Sequence, residues 1–235
     1  MGLTFFYYLL SNFYLTMQHF ILQVATAQHL HYADTICNEM ESSAKARGTG
    51  IAKRTPEHIQ QKMLEGKAVI ALSTNNEWAG FCYIETWSHG NYVANSGLIV
   101  SPQFRKSGLA TDIKKKIFEL SRTNYPNAKI FGLTTGLAVM KINSDLGYEP
   151  VTYSELTQDE AFWKGCQSCI NHDILISKER KNCLCTAMLY NPAEKNKPRW
   201  FDFASKKKVM ERLLRMKQTN FLKKLITKME TIQLF

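Results

Sequence analysis

Val100-Ser101-Pro102-Gln103-Phe104-Arg105-Lys106-Ser107-Gly108-Leu109-Ala110 is the most informative stretch of the chain. An apolar run, Leu98-Ile99-Val100, stops at a proline, two cations follow, and a Gly-X-Ala step opens a helical pattern. The first N–H groups of a helix have no partner inside it, and the helix dipole adds positive charge there. With Arg105 and Lys106 beside them, such amides make a pocket for a diphosphate. Gly108 and Ala110 lack bulk, so backbone and phosphate can approach closely. A plain strand-to-helix turn carries the same letters, so the flanking elements decide between the two.

Downstream, residues 108–122 place Leu109, Ile113, Ile117 and Leu120 on one face with lysines opposite, a surface helix laid on a sheet. A strand over 128–135, a helix over 137–146, a left-handed turn at Gly147 and a strand over 149–153 follow. Another helix is expected over 157–164 and a last strand over 183–190. Upstream, 27–45 has the spacing of an amphipathic helix, and Thr55-Pro56 reads as cap and first residue of a helix over 56–65. Strands over 67–72, 78–87 and 92–100 then lead to the loop. The expected fold is α/β, a mixed and partly parallel sheet of six or seven strands flanked by helices.

The loop resembles the pyrophosphate-binding motif of the GCN5-related N-acetyltransferases (GNAT): Arg or Gln, two residues, Gly, any residue, then Gly or Ala. Leu98-Ile99-Val100 with Pro102 before it, Ile130-Phe131-Gly132-Leu133-Thr134-Thr135 after it, and Leu146-Gly147-Tyr148-Glu149-Pro150-Val151 stand at that family's places. The resemblance spans about residues 28–190. A narrower similarity, to the acetyltransferase domain of N-acetylglutamate synthases, rests on Leu133-Thr134-Thr135, Gly147 to Val151, Lys53-Arg54-Thr55 and the basic run Lys178 to Lys181.

The resemblance implies an acyltransferase using acetyl-CoA or another acyl-CoA, with Leu98, Ile99, Val100, Arg105, Lys106, Ser107, Gly108, Leu109 and Ala110 holding it. The backbone N–H of Ile99 or Val100 would polarise the thioester carbonyl. Glu85 is the first candidate for the base that frees the acceptor amine, and His89 the second. Where many members carry a Tyr that protonates the departing thiolate, this chain has Asn143, which cannot be an acid. Tyr148 is near, with packing its ordinary role. The acceptor implied is the amine of a small amino acid, with glutamate, as in arginine biosynthesis, the first choice. Lys53, Arg54 and Lys181 are candidates for its carboxylates. A peptide or protein amine is the alternative acceptor. A nucleic-acid-binding module on an inert acyltransferase core is the alternative of another class.

Cys166-X-X-Cys169 and Cys183-X-Cys185 put four thiols in a window of twenty residues. If Cys183 and Cys185 share one face of a strand, two such pairs can enclose a structural zinc; ordinary burial explains the same letters. The 235 residues, 45% apolar and 21% charged, suit one large domain with an appendage and exclude wholesale disorder. Of the net charge of +10, +8 falls in residues 191–235, a linker and a basic amphipathic helix over 205–230. That helix would dock on the domain or pair two copies into a homodimer. Without a stacking platform or a long apolar run, nucleic acid and membrane are the less favoured partners. Residues 1–16 lack an export signal's cations, so the reading is a chain opening at Met17, a core over 17–190 and a cytoplasmic setting.

Overall fold

The computed structural model describes residues 19–195. Its strands are β1 (Phe20–Val24), β2 (Ala68–Ser73), β3 (Trp78–Trp87), β4 (Tyr92–Val100), β5 (Lys129–Thr134), β6 (Glu149–Val151) and β7 (Thr186–Tyr190). They form one sheet in the order β1-β2-β3-β4-β5-β7-β6, and only β4 and β5 pair in parallel. The helices are α1 (Ala33–Ala46), α2 (Pro56–Leu64), α3 (Leu109–Asn124), α4 (Leu137–Asp145), α5 (Glu160–Gly165) and α6 (His172–Ser177). The mixed sheet flanked by helices agrees with the sequence. The chain divides into two compact units, Met1–Pro192 and Ala193–Phe235, and the sheet belongs to the first. Residues 1–16 and the basic helix expected over 205–230, with its pairing surface, lie outside the described residues.

Two cores sandwich the sheet. On one face Ile113, Ile117 and Leu109 of α3 pack on Val69, Cys82, Ile84, Val93 and Val100. On the other, Ile36 and Met40 of α1 and Ile59 and Met63 of α2 pack on Ile70, Phe81, Tyr83 and Ile99. All six residues of β2 are buried, as suits a strand covered on both faces. A third cluster, Phe131, Tyr153, Phe162, Trp163 and Leu189, closes the β5–β7 end.

Three features depart from the sequence reading. The strand β1 pairs with β2 along its whole length, although its residues show no clean alternation of burial. The alternation after the loop is not a continuous parallel run, because β7 inserts between β5 and β6 and is antiparallel to both. Finally, α6 occupies residues that carry no helical periodicity of their own, and β7 begins at Thr186 rather than at Cys183. Among the described residues no helix is long and apolar enough to cross a membrane.

Candidate functional site

The site grows from a parting of strands. The parallel pairing of β4 and β5 covers only Tyr92–Ala94 against Lys129–Phe131. Beyond it β5 stays with β7 and β4 stays with β3, so the two form a fork that opens toward Val100. Within β4, Tyr83 faces Ser96 but Phe81 faces Ile99, so β4 carries one extra residue around Gly97-Leu98, a β-bulge. Gly97 has φ +65°, and a Cβ there would lie 2.6 Å from Tyr83 and 2.7 Å from Met40. Only glycine fits this bulge. It also resets the alternation of the strand. Ser101 donates its N–H to Ala79 of β3 at 2.9 Å, so the amides of Ile99 and Ser101 face β3 while those of Leu98 and Val100 face the fork. Of the two amides considered from sequence, Val100 has the suitable direction and Ile99 does not.

At the mouth of the fork, Pro102–Phe104 makes one turn of 3₁₀ helix, Lys106 adopts φ +67° and Gly108 φ +87° before α3 begins at Leu109. The amides of Lys106, Ser107, Gly108 and Ala110 make no hydrogen bond among the described residues. Open space surrounds Gly108 on the side a Cβ would occupy. Unsatisfied amides at a helix start are a ready anion site. The side chains do something else. Arg105 turns back to donate to Glu39 (2.7 Å) and Ser43 (2.6 Å) of α1 and, through Nε, to Val100 O (3.2 Å). Ser107 donates to Phe104 O at 2.7 Å and receives the N–H of Leu109 at 3.4 Å. Arg105 thus braces the loop, and Lys106 is the exposed cation beside it. A cleft of about 560 Å³ lies between α1, the β2–β3 turn and Ser101–Gln103, and no residue of β4 or β5 lines it.

On the α1/α2 face a polar cluster sits level with the crotch of the fork. Glu85 of β3 stands opposite Ala94, the last residue of β4 that pairs with β5. Its Oε1 is 2.7 Å from His58 Nε2, and its Oε2 is 2.9 Å from Lys62 Nζ. The His58 contact is an ion pair when the ring is protonated. Burial pushes the Glu85 carboxyl upward, but His58 and Lys62 outweigh it and hold the group below its ordinary value. Thr55 caps α2 by accepting the His58 N–H at 3.3 Å, which fixes that histidine on the first turn. Arg54 donates through Nε to the Tyr83 hydroxyl and through Nη1 to Ala52 O (2.6 Å) and Lys53 O (3.2 Å). The Arg54–Tyr83–His58–Glu85–Lys62 group is therefore one cluster. His58 and Lys62 were not singled out in the sequence; their spacing, one turn apart on a helix whose Ile59 and Met63 face the core, was the available signal.

The α3 face of the fork holds a second, drier group. Asn95, the first β4 residue past the parting, accepts from Tyr148 Oη at 2.9 Å and from Lys114 Nζ at 3.4 Å, and donates to Ser121 Oγ at 2.7 Å. Lys114 is 2% exposed with its ammonium 5.2 Å over the Tyr148 ring, and burial lowers its pKa to about 8. Burial likewise raises Tyr148 well above the usual phenol range. Asn143 of α4 is 1% exposed; its amide nitrogen reaches only Met188 Sδ, at 3.7 Å, and its Oδ1 has no donor among the described residues.

Other candidates lie apart. Lys53 is exposed, 4.0 Å from Glu41. Lys181 pairs with its neighbour Glu179 on an exposed turn. His89 is exposed in the β3–β4 turn beside Asp159. The zinc expected at Cys166, Cys169, Cys183 and Cys185 is corrected. Cys183 and Cys185 precede β7 and so do not share a pleated face, and no group of three or more His, Cys, Asp or Glu among the described residues is arranged for a metal ion. Burial raises the thiols of Cys166 and Cys185, the latter to about 12. The thiols serve packing instead: Cys169 Sγ lies where a Cβ on Gly50 would fall, and Cys183 donates to Asn171 O at 3.8 Å.

No protein-family model matches the chain. In sequence it is 28% identical over 152 residues to the thialysine N-epsilon-acetyltransferase of Caenorhabditis elegans, covering 63% of this chain and 91% of that protein. In structure it is similar to the N-acetylglutamate synthase of Neisseria gonorrhoeae, solved with coenzyme A and N-acetyl-glutamate (TM-score 0.52, 14% identity). That match covers 74% of this chain and only 35% of the synthase. A Mycobacterium tuberculosis protein solved with CoA matches 73% of this chain and 98% of its own (TM-score 0.53, 14% identity). A GNAT acetyltransferase from Staphylococcus aureus matches 74% and 99% (TM-score 0.51, 10% identity). The chain has the fold of the GCN5-related N-acetyltransferases.

Proposed function

We propose that the chain transfers an acyl group from acetyl-CoA, or a related acyl-CoA, to the amine of a small amino acid. The observation that carries this reading is the loop at the fork: four amides with no hydrogen bond among the described residues, two left-handed residues and a helix start. Those groups suit the diphosphate of coenzyme A. Its pantetheine arm would then lie in the fork, with the Val100 amide available to the thioester carbonyl and the orphaned Asn143 Oδ1 available to an amide N–H of the arm. Named proteins of similar fold or sequence are acetyltransferases, some solved with CoA, which supports the same chemistry.

For the acceptor, the α2 side supplies a guanidinium whose Nη2 edge makes no hydrogen bond among the described residues. An Arg fork suits a carboxylate, so the favoured acceptor carries one beside its amine. Glutamate and lysine-like amino acids are the first to try. In the reaction the acceptor nitrogen attacks the thioester carbon, the C–N bond forms and the C–S bond breaks. A thiol's pKa of about 8.5 makes coenzyme A a tolerable leaving group without a dedicated acid.

The test is thiol release from acetyl-CoA and succinyl-CoA against a panel of free amino acids, amines and short peptides. Turnover with amino acids and none with peptides is the expected result. Turnover with peptides alone refutes the acceptor. Tight, salt-steep RNA binding with no turnover would favour the nucleic-acid alternative.

A further inference from the structure

We infer that His58, oriented by Glu85, is the group that takes the proton from the acceptor amine, and that Glu85 acts through it as a positioning residue. The inference rests on the acyltransferase reading above and deepens it. Both oxygens of Glu85 are already engaged, Oε1 against His58 at 2.7 Å and Oε2 against Lys62 at 2.9 Å. A proton placed on that carboxylate would sacrifice one of its two contacts, on a side chain only 17% exposed. Its depressed pKa reports the same reluctance.

His58 has the complementary properties. Its Nε2 side faces the carboxylate, which holds the N–H there and leaves the lone pair on Nδ1. That Nδ1 makes no hydrogen bond among the described residues, and the side chain is 35% exposed. The ring stands edge-on to Tyr83 with centroids 5.7 Å apart, and Tyr83 is opposite Ser96, two residues past the parting of the strands. The imidazole is thus level with the crotch of the fork, on the face where Arg54 would hold an acceptor.

The charged and titratable groups that face His58 are Glu85 and Tyr83 of β3, with Lys62 of α2 on Glu85 and Arg54 on the Tyr83 hydroxyl. Lys62 opposes a second positive charge, and Glu85 favours one. Tyr83, raised to about 12 chiefly by burial, stays a neutral phenol. The step balances as follows. An ammonium acceptor gives one proton to Nδ1 and attacks; its second proton ends on the departing thiolate, and His58 returns the first to water.

The experiment measures kcat/KM against pH for the full chain and for His58→Gln and Glu85→Gln, with coenzyme A affinity by calorimetry and melting curves alongside. The parent profile should rise with pH as the base loses its proton. His58→Gln should lower kcat/KM at pH 7 by about a hundredfold or more, remove that limb and leave coenzyme A affinity within twofold. Glu85→Gln should keep the limb, because His58 remains, and should lower kcat/KM by less than His58→Gln does. A His58→Gln protein with kcat/KM within threefold of the parent, and the limb intact, overturns the inference while leaving the acyltransferase reading in place. A parent with no turnover on any acceptor overturns both.

Discussion

The loop at the mouth of the fork and the cluster beneath α2 solve two recognition problems by opposite means. In the loop, on the proposed function, the backbone would do the binding: the amides of Lys106, Ser107, Gly108 and Ala110 make no hydrogen bond among the described residues, while Arg105 and Ser107 spend their side chains on bracing. In the cluster the backbone is already committed to helix and strand, and side chains from two elements meet to make the chemistry. A site of the first kind is sensitive to φ and tolerant of side-chain identity. A site of the second kind is the reverse. Variants chosen on that contrast should separate cleanly in binding and in turnover.

The largest effect belongs to the cluster, through His58 as described above. Next, in the same cluster, Lys62→Met removes the cation on Glu85 Oε2 and should lower kcat/KM about tenfold at pH 7, with coenzyme A affinity unchanged, because nothing in the loop depends on it. Equal losses in both readouts would break the division between the two regions. In the loop, Arg105→Gln should weaken coenzyme A binding only about two- to fivefold, through a less well braced loop. A loss above about a hundredfold would make Arg105 a phosphate ligand and the side chains, not the amides, the grip. The buried group across the fork offers a control that touches neither site. Lys114→Met should raise stability at pH 7 by about 1–3 kcal/mol, since it removes a buried cation with few partners. Lys114 titrates near 8 when folded against an unfolded value of 10.5, so the unfolded chain binds more protons between those values. The gap between parent and Lys114→Met should therefore narrow as pH climbs from about 8 to 10.5, which urea melts at several pH values will show.

The same contrast explains what the sequence discloses. The loop is written in consecutive letters: proline, cations, a glycine at a left-handed position and a helical repeat fix its shape locally. The strands on either side are equally legible, because β2 and the first seven residues of β3 are buried and largely apolar. The cluster is not local. Glu85 can be suspected from its strand, but its partners depend on how α2 approaches β3, which no spacing within either element encodes. The direction of the Val100 amide needs the bulge at Gly97, a matter of register between two strands. The cysteine pairs mislead for a related reason. Their spacing admits either a metal or ordinary burial, and Cys183 and Cys185 fall just before the strand whose pleat would have aligned them. The insertion of β7 between β5 and β6 is a topological choice that the alternation of elements leaves open.

The claim beneath all of this is that loop amides grip the diphosphate of an acyl-CoA, and titration calorimetry of coenzyme A into the parent and Gly108→Val tests it directly. A valine at φ +87° is strained by about 1–2 kcal/mol and cannot hold the turn, so affinity should fall at least about tenfold while circular dichroism stays that of the parent. Equal affinity in the two proteins, or no binding by the folded parent, would contradict the account.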